Sequence, residues 1–311
     1  MSLQGDHFSI GVNSWRRFPV FLAAEFIFWS PCMDFCRHFI VLGLTFSVLS
    51  GCAGVGQKDA SFKPVLRQSG KDVMWLPTSQ HMVNKMLTAA QVTAKDIVYD
   101  LGSGDGVIPI TVAQQFKARA VGVEYDAKLA EFARKNAQQA GVADKVKIIR
   151  GDIFVEDFSE ATVVTMYLLP ELNLQLRPTL LKMKPGTRIV ANAFDMQEWT
   201  PDQIVSAGSE QGFLWIIPAQ VEGEWDFLPY EGFVPARLSL RQSFQQVGGT
   251  LTMAGISQPL LGAQLRGDQL SFHFLGSDNI AQSVLATVTT DALLGEHTYY
   301  GRAHSFQAKR R

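Results

Sequence analysis

The sequence predicts an α/β protein: a doubly wound, mostly parallel sheet followed by a C-terminal antiparallel β appendage. Three observations lead there. Short apolar runs at 96–101, 118–123, 146–150, 161–168 and 188–193 are separated by segments of helical period. A glycine-rich turn, Gly102-Ser103-Gly104-Asp105-Gly106, follows the first run directly and opens a helix. Past residue 229 the pattern changes to short alternating runs broken by glycine turns.

Residues 1–52 read as a targeting segment. Arg37 and His38 precede an apolar run from Phe39 to Leu49, shorter than the ~20 residues a spanning helix needs and suited to the core of a secretory signal. The run ends Leu49-Ser50-Gly51-Cys52. This is similar to a bacterial lipobox and implies cleavage before Cys52 and a lipid on its sulfur, which would anchor the chain without a spanning helix. Met33 suits such a signal as a start; the Arg16-Arg17 pair further upstream is spoiled as an export motif by Pro19 and Glu25. Residues 53–71, rich in Gly, Ser, Lys and Gln, read as a linker.

Residues 72–229 read as the ligand-binding domain. Thr78 or Ser79 can cap a helix whose Met82, Val83, Met86 and Leu87 fall on one face. Asp96–Leu101 is the first strand. Gly102 and Gly104 let the chain turn tightly and approach a ligand, and the next helix points free N–H groups at it, with Pro109 tolerated in its first turn. The second strand ends at Glu124, twenty residues past Gly104, where an acid can accept two hydrogen bonds from a ribose diol. Leu129, Phe132, Ala133 and Ala137 line one face of the following helix. Val146–Arg150 closes on Gly151-Asp152-Ile153-Phe154. Ala161–Leu168 is apolar enough for a buried parallel strand, and Arg188–Ala193 is the fifth. Phe213–Pro218 and Val221–Phe227 are expected to complete this sheet with antiparallel strands. Ligands of such a sheet bind beyond the C-terminal ends of its strands.

A dinucleotide dehydrogenase would place a glycine at position 107, where this chain has Val107. The ordered set of Asp100, Gly102, Gly104, Glu124 and Asp152, each after its own strand, instead resembles the class I S-adenosylmethionine (SAM)-dependent methyltransferases. The resemblance implies a Rossmann-like seven-stranded methyltransferase sheet and SAM as cofactor. It implies that Asp100, Gly102 and Gly104 hold the methionine part and Glu124 the ribose, with Thr78 and Ser103 also among the cofactor-binding residues. Asp152 would meet the adenine amino group, with Tyr125 and Ile153 flanking the ring. Trp75-Leu76-Pro77-Thr78, Tyr167-Leu168-Leu169-Pro170-Glu171-Leu172-Asn173 and Leu181-Lys182-Met183-Lys184-Pro185-Gly186-Thr187-Arg188 are similar to a bacterial group distantly related to the non-SET histone-lysine and mitochondrial protein-lysine methyltransferases. This similarity spans Val73–Thr200. It implies a transferase acting on an unidentified acceptor, for which a protein lysine is one candidate, and a substrate side at Tyr167, Pro170 and Asn173. The group often carries Arg where this chain has Val107.

Residues 230–311 contain runs at 238–240, 250–253, 263–265, 270–274, 284–288 and 298–300, expected to form a small antiparallel sheet or partial barrel. Arg266-Gly267-Asp268 suits a turn, and Lys309-Arg310-Arg311 a solvated tail.

Composition narrows the function. The three cysteines are Cys32, Cys36 and Cys52, so the body has neither a disulfide framework nor a cysteine metal site. A balance of 28 basic and 29 acidic residues argues against an electrostatic grip on nucleic acid. The expected partners are SAM, the acceptor and a membrane reached through lipid on Cys52, in the bacterial cell envelope; without a working lipobox the location would be cytoplasmic. A second reading is an envelope lipoprotein whose SAM-fold domain binds its ligand without turnover.

Overall fold

The computed structural model describes residues 62–65, 74–229 and 234–311. The lipobox with Cys52, the targeting segment and the linker, save 62–65, lie outside the described residues. Phe62 meets Phe132 edge to face at 6.0 Å.

The first layer follows the predicted alternation. In order come α1 (Gln80–Ala89), β1 (Ile97–Leu101), α2 (Val107–Thr111), β2 (Arg119–Glu124), α3 (Ala127–Gln139), β3 (Val146–Arg150) and β4 (Val163–Met166). They continue with α4 (Pro170–Leu180), β5 (Arg188–Asn192), β6 (Gln203–Ala207) and β7 (Glu210–Ile216). A π-helical turn over Val112–Phe116 extends α2. The seven strands order as β3-β2-β1-β4-β5-β7-β6. The first five are parallel, while β7 runs antiparallel to both β5 and β6.

Period-two burial explains why helices cover both faces. Val98, Ala120, Val163 and Val190 pack with Met82, Val83, Met86 and Leu87 of α1 and with Ile108 and Val112. Tyr99, Leu101, Val164 and Met166 point the other way, onto Leu176 and Leu180 of α4 and onto Trp199 and Trp215. Ser79 is the N-cap of α1, its Oγ accepting from Met82 N at 3.2 Å. Asp126 caps α3 through the N–H groups of Lys128 and Leu129. At the N-terminal edge of the sheet Asp96 accepts from Arg188 at 2.6 Å and from Thr162 at 2.7 Å. Burial pushes its carboxyl up, and these bonds together with Thr93 outweigh that and hold it below the usual range.

The second layer holds β8 (Gly223–Phe227), β9 (Ala236–Ser243), β10 (Gln246–Met253), β11 (Ile256–Pro259), β12 (Leu261–Arg266) and β13 (Gln269–Leu275). It is completed by β14 (Ala281–Val288), β15 (Ala292–Tyr299) and β16 (Arg302–Arg310). Its nine strands order as β11-β10-β9-β8-β16-β15-β14-β13-β12 around Trp225, Phe272, Phe274 and Leu238. The sheet curls on itself. Gln258 on β11 bonds both ways with Leu275 on β13, Nε2 donating to its carbonyl at 2.7 Å and Oε1 accepting from its N–H at 2.8 Å. One carboxamide thus stands in for a missing ladder pair. Gln258→Ala is expected to lower stability by about 1 kcal/mol, because both bonds are exposed. An unchanged urea midpoint would show that the closure needs no such pair.

Two expectations are corrected here. Gly223–Phe227 does not complete the first sheet; it pairs with β9 and β16 in the second. Alternation marks a strand without naming its neighbour. Residues 309–311 are not a solvated tail. Arg310 lies on β16 with its guanidinium 4.2 Å over the Trp225 ring, donating to the carbonyls of Gln220, Glu222 and Thr290. The Arg266–Asp268 turn forms as expected, and the Gly267 carbonyl accepts from Ala219 N at 2.8 Å.

Candidate active site

The ends of β1, β2, β3 and β4 open onto one cleft of about 930 Å³, counted out to its solvent mouth. Thr78, Asp100, Gly102, Ser103, Gly104, Glu124, Tyr125, Asp152 and Ile153 all line it, as does Tyr167. The chain turns there through three left-handed glycines, Gly102, Gly104 and Gly106 (φ +81°, +54° and +83°). Gly106 is also the N-cap of α2. A Cβ on it would come 3.1 Å from that of Ala133, so this third glycine serves helix packing while Val107 begins the helix.

Glu124 ties the turn in place. One carboxylate oxygen accepts from Gly104 N at 2.8 Å and the other from Asp126 N at 2.8 Å. Burial nonetheless pushes the carboxyl up. Asp100 is buried at 4% exposure and accepts from Thr165 Oγ1 at 2.7 Å. Desolvation, with repulsion from Asp105 and Glu124, pushes it up to about 7 against that bond. Asp105 is also raised by burial, partly offset by the Val107 N–H. Asp152 Oδ1 accepts from Phe154 N at 3.0 Å, fixing the turn beyond β3.

Asn173 does not reach the cleft. It is fully buried on α4 and donates Nδ2 to the Phe194 carbonyl at 3.1 Å, bracing the turn after β5. Pro170 is the first residue of α4 and lines neither the cleft nor the recess described next. Sequence reasoning also passed over some of the lining. Trp75 lies over Gly104, its indole Nε1 2.6 Å from where a Cβ would sit, and Asp105 adds a further carboxylate. The Gly-Asp-Gly spacing held a signal for Asp105; for Trp75 only the motif preceding α1 did.

A recess lined by Pro77, Tyr167, Asn192, Ala193, Ser209, Glu210 and Gln211 adjoins the cleft, sharing Pro77 and Tyr167 with it.

The donor set selects among ligands. Four carboxylates (Asp100, Asp105, Glu124 and Asp152) line the cleft, and among the described residues no Lys, Arg or His does. A pyrophosphate would be repelled, whereas a ligand with a sulfonium and an ammonium would relieve the repulsion among these groups. The buried Ser103 Oγ has no hydrogen-bond partner among the described residues. The residues present therefore fit SAM.

Residues 100–203 match the ANTKMT methyltransferase domain. A protein-lysine N-methyltransferase of Saccharolobus islandicus is 44% identical over 135 residues, covering 43% of this chain and 84% of that protein. A lysine N-methyltransferase of Mus musculus, named for an ATP synthase component, is 32% identical over 122 residues, 39% of this chain and 49% of that one. This chain thus spans about half of the latter's length. A Salinibacter ruber RNA methyltransferase solved with S-adenosyl-L-homocysteine is 48% identical, with a TM-score of 0.46, covering 47% of this chain and 96% of that one. By the first of these relatives and by its cleft, the chain belongs to the SAM-dependent methyltransferase family that the Saccharolobus islandicus enzyme represents.

Proposed function

We propose that this methyltransferase acts on the side-chain amine of a protein lysine, and that the mature chain is tethered to the cell envelope through a lipid on Cys52. Charge supports the first part. Among the described residues, neither the cleft nor the recess beside it presents a cationic side chain, and each presents carboxylate, a setting for a cationic acceptor rather than a polyphosphate. The names of the Saccharolobus islandicus and Mus musculus relatives support it as well. The sequence of Arg37, apolar run and Leu49-Ser50-Gly51-Cys52 supports the second.

SAM supplies a methyl carbon already activated by its bond to a positive sulfur, so the protein's task is positioning more than acid–base chemistry. In this reading Glu124 takes the ribose hydroxyls, and Asp152 takes the adenine amino group between Tyr125 and Ile153. Thr78, Asp100, Gly102, Ser103 and Gly104 surround the methionine part. Tyr167 stands where cleft and recess meet and orients the incoming nitrogen.

The full-length chain, given methyl-labelled SAM and a cell extract, is expected to label protein and to yield methyllysine on hydrolysis. Label found in RNA alone would contradict the lysine reading. Labelled palmitate should enter the wild-type chain in bacterial cells and be lost in Cys52→Ala; equal incorporation would remove the anchor.

A further inference from the structure

The cleft spans the tips of β3, β2, β1 and β4, and the recess continues the same edge over β4, β5 and β7. Pro77 and Tyr167 are the residues common to both. Resting on the reading of a lysine acceptor, we infer that the recess is the acceptor's entry and that Glu210 is the residue that selects a cationic side chain there.

The placement of Glu210 follows from the backbone. β6 and β7 form a hairpin pairing Ala207 with Glu210, so Gly208 (φ +67°) and Ser209 make a two-residue turn. That turn delivers Glu210, half-buried, as the first residue of β7. Its Oε2 accepts from Ser79 Oγ at the start of α1, which fixes the carboxylate at the recess wall. Across the recess β5 ends at buried Asn192, and Ala193 holds a left-handed φ of +67°. Such strain in a non-glycine residue needs surrounding support and gathers at binding sites. Ala193 N donates to the Gln211 carbonyl at 2.8 Å, and Asn173 braces the next residue from behind. Among the described residues, Glu210 is the recess's one carboxylate, and no basic side chain lines it. Glu210 also lies outside the matched methyltransferase domain, which ends at residue 203.

A lysine ammonium entering here meets the Glu210 carboxylate and is held there. It gives one proton to solvent, and the freed lone pair then forms the N–C bond while the C–S pair returns to sulfur. The products are a methylated ammonium and the neutral thioether S-adenosylhomocysteine. Glu210 acts in capture, so its loss is read in KM.

The test uses the full-length chain with poly-L-lysine as acceptor, and SAM affinity measured separately by titration. Glu210→Gln is expected to raise KM for poly-L-lysine at least tenfold with the Kd for SAM unchanged, and Glu210→Asp to restore part of the loss. Ser79→Ala removes the fixing hydroxyl but keeps the charge, and is expected to move KM less. A lower Tm or kcat in Glu210→Gln with KM unchanged would show only a role in holding α1, and would overturn the inference while leaving the lysine reading intact. Wild-type protein that binds SAM yet methylates total RNA and not poly-L-lysine would overturn both.

Discussion

Glu124→Ala is expected to weaken SAM binding by about 2 kcal/mol, roughly 30-fold in Kd. The carboxylate has two duties. It accepts from the N–H groups of Gly104 and Asp126 and so sets the distance between the glycine turn and the start of α3. In the proposed binding mode it also receives the ribose hydroxyls. Alanine leaves both N–H groups without this partner and removes a charged acceptor from the cleft. Glu124→Gln separates the duties, because an amide keeps one acceptor oxygen for the turn while losing the charge; it should fall between wild type and alanine. Calorimetric titration reads both, and an alanine variant that binds as tightly as wild type would take Glu124 out of the site.

Asp100→Asn should make the ligand-free protein more stable and the liganded one harder to form. Burial pushes the Asp100 carboxyl up to about 7 in the folded protein, against an ordinary value of 3.8. For an acid raised in this way the sign is fixed. Below about pH 4 both states are protonated and the group costs nothing. Between there and pH 7 the unfolded chain ionises first, so stability falls as pH rises, and above pH 7 the full penalty stands. Asparagine removes that penalty, on the order of 2–4 kcal/mol at pH 8 and only about 0.5 kcal/mol at pH 4, and it retains an oxygen for the Thr165 hydroxyl. The same charge is what a cationic ligand needs. SAM affinity of the wild type should therefore rise with pH through about 7 with release of a proton, and the variant should bind at least tenfold more weakly at pH 8 with a flatter profile. Thermal melts at pH 4 and pH 8, with titrations in buffers of different ionisation enthalpy, check both halves. A variant less stable than wild type at pH 8 would mean that Asp100 is satisfied in the ligand-free fold.

The parallel half of the first sheet was legible because each of its parts has a local cause. An apolar strand, a glycine turn and an amphipathic helix recur in register, and the acids at strand ends are adjacent in sequence to the strands that place them. Pairing across long distances was not legible. The alternation in Val221–Phe227 announces a strand equally well in either sheet, and only the partners on β9 and β16 decide it. β16 escaped notice because its ends are charged and, of its residues, Phe306 and Ala308 alone are buried. Asn173 directly follows Leu172, which lines the cleft, yet the rotation of α4 turns it to the backbone beyond β5. Glu210 was missed because an antiparallel hairpin, far along the chain, carries it to the edge that the parallel strands had already defined.

A crystal structure of the full-length chain with S-adenosyl-L-homocysteine tests the central claim most directly. Both ribose hydroxyls are expected within hydrogen-bond distance of the Glu124 carboxylate, with the sulfur directed toward Pro77 and Tyr167. A ligand held elsewhere, or an adenosyl group in the cleft with its ribose turned away from Glu124, would contradict it.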